Sequence, residues 1–109
     1  MKLFISVIIL MSSAFANAQC TRPEAPQLPD GDTADMQAMI EGQKTVKAYV
    51  TGTEAYLDCL ASEGEKAGEE ANPDVEMARI EKHNAAVDEM EKVANEFNEE
   101  IQEYKAKAK

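Results

Sequence analysis

In two stretches of this chain, side chains suited to one helical seam recur at alternating intervals of three and four residues. The first stripe is Met36, Met39, Gln43, Val46, Val50, Thr53, Leu57 and Leu60. The second is Ile80, His83, Val87, Met90, Ala94, Phe97, Ile101 and Tyr104. An α-helix brings such positions onto one face, whereas a strand would need a period of two. The spacing therefore predicts an all-α chain with one helix over 33–63 and a second over 73–107. At 1.5 Å per residue each is about 45 Å long. Two helices of similar length with matching seams and a short connector make an antiparallel, coiled-coil-like hairpin.

The ends of the predicted helices carry their own signals. Asp32 or Thr33 is placed to cap the first, with Asp35 in its first turn. The connector, Ser62 to Pro73, is acidic and rich in small residues, and Gly64 and Gly68 are candidate stops. Asn72 followed by Pro73, Asp74 and Glu76 is a strong start for the second helix. Lys105, Lys107 and Lys109 fall where the helix dipole favours positive charge.

Residues 1–18 read as a secretory leader, leaving 33–109 as the helical hairpin. Lys2 is the charged start, Leu3 to Met11 the apolar run, and Ala16-Asn17-Ala18 the cleavage site, so the mature chain is expected to begin at Gln19. The apolar run is too short to span a bilayer, which takes about 20 residues. A lipoprotein signal would need a small residue before Cys20, and Gln19 is not one. With no N-x-[ST] sequon, the expected location is periplasmic or secreted by bacterial export.

An exported chain with two cysteines is expected to pair them, so Cys20–Cys59 is the predicted disulfide. Residues 19–32 form a proline-rich arm in which Pro23, Pro26 and Pro29 recur every three residues, the period of polyproline II. The first helix carries a second stripe beside its seam: Ala38, Gly42, Thr45, Tyr49, Gly52, Tyr56 and Cys59. Its glycines permit close backbone approach, and its tyrosines offer flat apolar faces to proline rings. From Cys20 to Thr33 a polyproline II arm spans about 40 Å. From Thr33 to Cys59 a helix spans about 39 Å. The arm is thus expected to run back along the first helix, with Pro23, Pro26 and Pro29 on the Gly42, Tyr49, Gly52 and Tyr56 stripe.

This layout resembles a set of short exported proteobacterial proteins. The resemblance is carried by the leader, by Cys20-Thr21-Arg22-Pro23-x-x-Pro26-x-Leu28-Pro29-Asp30-Gly31, and by the helical segments Val46-Lys47-x-Tyr49 and Tyr56-Leu57-x-Cys59-Leu60. It covers residues 20 to 60, fades afterwards and implies no activity.

Composition excludes more than it selects. A length of 109 residues allows one small domain and excludes any large α/β enzyme. A net charge of −10 disfavours nucleic acid, which needs a basic surface. One histidine and no nucleophile elbow leave no Ser-His-Asp arrangement, and there is no Gly-rich phosphate loop. Acid pairs such as Glu69-Glu70 and Glu99-Glu100 read as solvated helix surface. His83 reads as a polar seam residue that sets register, because no second ligand stands three or four residues away. Met36-x-x-Met39 is too little for a copper site, and methionine at seam positions reads as adaptable core. The expectation is therefore no enzyme, no metal and no cofactor.

Partner binding is the better-supported class. A two-helix core is thin, and Tyr49, Val75, Met77 and Val93 lie off the main seams. Packing against a protein partner, or self-association into a helical bundle, would bury them. The expected role is a non-enzymatic envelope protein acting through helical contacts, as adaptor, assembly factor or structural component. The alternative is a small-ligand or metal carrier using methionines, His83 and acidic side chains.

Overall fold

The computed structural model describes residues 20–68 and 72–107; the expected leader, Gln19 and Lys109 lie outside the described residues. Two helices form an antiparallel hairpin, α1 over Met36–Ala67 and α2 over Pro73–Lys107. Among the described residues there is no strand.

α1 begins and ends later than its sequence signals suggest. Asp30 starts a turn: its carbonyl accepts from the backbone N–H of Thr33 and of Ala34, and its side chain accepts from the N–H of Asp32 at 2.9 Å. Asp32 and Thr33 are spent in that turn, so neither caps the helix. Asp35 does: in extended conformation (φ −85°, ψ 175°) its Oδ1 accepts from the Ala38 N–H at 2.8 Å. At the other end Gly64 stays inside the helix, and α1 runs a further turn beyond residue 63. Gly68 stops it, with φ of 56° and its N–H bonded to the Gly64 carbonyl. α2 starts where expected. Asn72 Oδ1 accepts from the Asp74 N–H at 2.8 Å, and Pro73 fills the first helical position, where no N–H is needed.

The buried line of α1 is Met39, Gly42, Tyr49, Thr53, Tyr56 and Leu60, with Val46 half-buried between them. It keeps the alternating three-four spacing but draws on both predicted stripes. The buried line of α2 is Ala86, Val93 and Phe97, so only Phe97 of the predicted stripe is fully covered. Each helix is turned by part of a residue step from the two-helix expectation, because each has two neighbours: the other helix and the arm.

Several expected seam positions are corrected by that rotation. Met36 is 65% exposed and Ile80 44%, and His83 is exposed on the surface of α2. Conversely, Tyr49 and Val93 need no outside partner, since the chain buries them itself to 5% and 4% exposure. Val75 and Met77 do stand free.

Candidate functional site

The arm, 20 to 34, lies against both helices. A Cβ added at Gly52 would meet Pro23 Cγ at 3.4 Å, and one added at Gly42 would meet Pro29 Cγ at 2.7 Å and Phe97 Cε2 at 3.2 Å. Progress along the arm from Pro23 to Pro29 is therefore progress backward along α1. The Cys20–Cys59 disulfide closes the far end, with Cα atoms 5.6 Å apart across 39 residues of sequence. Tyr49 and Tyr56 are buried on α1. Pro26 instead lines a depression shared with Pro29, Glu96, Glu99 and Glu100, on the α2 side. The prolines thus divide between the helices: Pro23 and Pro29 against glycines of α1, Pro26 toward the acidic flank of α2.

The polar ties of the arm go to α2. The Arg22 guanidinium donates to the Ala85 carbonyl at 3.3 Å and to Glu89 Oε2 at 3.1 Å. The Gly31 N–H donates to Glu100 Oε2 at 2.6 Å. Gly31 is buried, and a Cβ there would collide with the Glu100 carbonyl oxygen, so only glycine fits. Lys107 Nζ donates to the Ala34 carbonyl at 2.7 Å and stands 5.2 Å from the Tyr104 ring centre, tying the end of α2 to the start of α1. The contacts that join Arg22, Gly31, Glu89, Glu100 and Lys107 are what sequence reasoning missed; it read Lys107 only as a helix-end cation and Glu100 as solvated surface. Their one visible trace was Arg22, a lone cation between Cys20 and Pro23 at the head of an acidic chain's arm.

Charge gathers where the arm turns. Carboxylate oxygens of Asp30, Asp32 and Glu103 lie within 4.8 Å of one another, all three exposed. Glu100 beside Glu103 is the main reason that the Glu103 carboxyl titrates above its ordinary value, with Asp32 next and a small contribution from burial. Among the described residues His83 belongs to no such group: its Nδ1 lies 3.4 Å from Asn84 Oδ1 on the open surface. Two hydroxyls inside the hairpin, Tyr49 OH and Thr53 Oγ1, are buried without a hydrogen-bond partner among the described residues.

The hairpin leaves apolar side chains in the open at both ends. At the free ends of the helices, Met36, Ile40, Phe97, Ile101 and Tyr104 line an open depression of about 270 Å³. At the connector end, Leu60, Ala67, Val75 and Ala78 line another of about 190 Å³, beside the Arg79–Glu76 ion pair. Arg79 lies over Gly64, where any Cβ would strike its guanidinium. Both depressions are smaller than the ~300 Å³ at which small-molecule sites begin. The one at the free ends is mainly apolar, with Gln43 and Lys105 at its edge, and suits apolar side chains of another helix. The one at the connector end is apolar at its floor and ringed by Glu63, Glu76, Arg79 and Lys82.

No protein-family model, no curated protein and no solved structure matches this chain. Among the described residues no helix is long and apolar enough to cross a membrane.

Proposed function

We propose that this chain is a non-enzymatic, exported envelope protein that works through helical protein–protein contacts, in an adaptor, assembly or structural role. One observation carries the reading. With its own seam filled and its arm bridged to α1 by a disulfide, the hairpin still exposes Met36 by 65%, Ile40 by 40%, Val75 by 62%, Met77 by 59% and Ile80 by 44%. Large apolar side chains left exposed toward both ends of a braced scaffold are a common mark of a protein contact. The leader-like residues 1–18 and the disulfide support export, since disulfides persist in oxidising compartments.

The test is photo-crosslinking in living bacteria, with the reactive residue placed at Ile40, at Ile80 and, as a control, at Glu24 on the arm. Discrete products from Ile40 and Ile80, with none from Glu24, are expected. No product at either apolar position would overturn the reading.

A further inference from the structure

The outer flank of α1, away from the arm, orders its charges by sign. Going along the helix, exposed Lys44 and Lys47 come first, and exposed Glu54 and Asp58 follow. Lys47 and Glu54 are seven residues apart, two helical turns, and so share a face; Lys44 and Asp58 flank them. All four lie more than a turn inside α1, beyond the reach of its end dipoles. The order is not explained by pairing inside the chain. Lys47, Glu54 and Asp58 have no ion pair among the described residues, and Lys44 meets only Glu41 at 3.7 Å, with both side chains mostly in water. A flank with positive charge in one half and negative charge in the other is complementary to a second copy of itself laid antiparallel, although Glu41 and Lys66 on neighbouring faces of α1 do not follow that order.

We propose that two copies of this chain associate through this flank, with a two-fold axis level with Val50 and Thr51. The inference rests on the reading above and names its partner. About such an axis Lys47 of each copy faces Glu54 of the other, and Lys44 comes within one residue of the level of Asp58. The pairing is reciprocal, so each contact forms twice.

The same axis also accounts for the exposed apolar ends. Arg79 against Gly64 and Phe97 against Gly42 set the level of α2 relative to α1 to within about 6 Å. From that level, Ile40 of one copy comes within about 5 Å along the axis of Ile80 of the other, and Met36 within about 5 Å of Met77, at 1.5 Å rise per residue. The exposed side chains at the free end of one hairpin thus come to the same level as those at the connector end of its mate. The charge order places the axis, and the apolar levels are compatible with it. At a net charge of −10, two copies repel at long range, and an interface of alternating sign is what lets them meet in one register.

Charge reversal tests this on the purified, oxidised chain by sedimentation equilibrium at low salt. Lys47→Glu alone places glutamates opposite each other twice, and Glu54→Lys alone does the same with lysines. Each is expected to weaken the dimer at least about tenfold, while the double variant returns to near the parent value. An equimolar mixture of the two single variants is expected to form a mixed dimer, because both cross-pairs are then attractive. Circular dichroism of each single variant should match the parent, since neither residue has a partner inside the chain. A parent that is monomeric at millimolar concentration, single variants that dimerise as well as the parent, or a mixture that yields no mixed dimer would each overturn the proposal. Photo-crosslinks from Ile40 to a different protein, with the purified chain monomeric, would overturn the dimer and leave the wider reading standing; no crosslink of any kind would overturn both.

Discussion

Replacing Gly42 and Gly52 with alanine, one at a time, places the same methyl group on the same face of α1 and should give opposite results. In an exposed helix each change would stabilise by about 1 kcal/mol through propensity. At Gly52 the new carbon would stand 3.4 Å and 3.6 Å from Pro23 Cγ and Cβ, which is ordinary contact between carbons. The propensity gain should survive there. At Gly42 it would stand 2.7 Å and 2.8 Å from Pro29 Cγ and Cδ, and 3.2 Å from Phe97 Cε2. A proline ring is rigid, and Pro29 is followed at once by Asp30, which makes the turn, and by Gly31, pinned to Glu100. Overpacking against such neighbours costs about 1–3 kcal/mol. The expected net effect is a loss of about 1 kcal/mol, so the two alanine variants should differ by about 2 kcal/mol. Urea unfolding followed by helical circular dichroism, with the disulfide intact, measures both. Gly52→Leu, which fills the space that Ala only touches, should cost about 1–3 kcal/mol. Adding Pro29→Ala to Gly42→Ala should recover much of the loss, a coupling that only contacting residues show. If both alanine variants gain the same stability, the arm is not seated on this face and the argument fails.

Reducing the disulfide, or replacing Cys20 and Cys59 with serine, should lower stability by about 4 kcal/mol for a bridge spanning 39 residues. An unchanged urea midpoint would refute this, and thiol titration of the denatured, unreduced chain should find none. Glu103 has a carboxyl raised above its ordinary value of 4.5, mainly by Glu100, so it holds a proton more readily folded than unfolded. Its contribution favours the fold as pH falls toward the ordinary value and turns against it as pH rises through the raised one. Glu103→Gln should therefore raise the melting temperature at pH 7 and leave it unchanged near pH 3; a lower melting temperature at pH 7 would contradict the assignment. Thr53→Val and Tyr49→Phe remove buried hydroxyls that have no partner among the described residues, and each should be neutral or stabilise by up to about 1 kcal/mol in urea unfolding. A loss larger than that would reveal a bonded partner. Gly31→Ala, which forces a methyl into the Glu100 carbonyl, should destabilise by about 2 kcal/mol or more, read as a lower urea midpoint.

The hairpin was legible in the chain because its causes are local. Three-four spacing, Asn72-Pro73 and Gly68 act within a turn or two of themselves, and they mark two helices and the break between them whatever the rest of the chain does. The start of α1 was less legible. Asp30, Asp32, Thr33 and Asp35 are all good capping types, and the choice among them fell to a turn in which the Asp30 carbonyl takes two N–H groups. The Cys20–Cys59 bridge was legible from the cysteine count and the leader-like start of the sequence. The ties of the arm to α2 were not. Arg22–Glu89 and Gly31–Glu100 join residues 67 and 69 positions apart, and no spacing rule reaches that far.

What the sequence determined by itself was the kind of element in each stretch and the pair of cysteines that join. What only the tertiary structure decided was which way each helix faces. A three-four stripe tells that a face exists but leaves its centre uncertain by part of a residue step. Two helices alone would have met on Met36, Gln43, His83 and Ile80. The arm is a third body wedged along the groove, and burial is greatest where three surfaces converge. Both helices therefore turn toward it, covering Tyr49, Thr53, Tyr56, Ala86 and Val93 and leaving Met36, Ile40, Ile80 and His83 in water. That rotation follows from the summed contact of all three segments, a quantity that no single segment of the chain encodes.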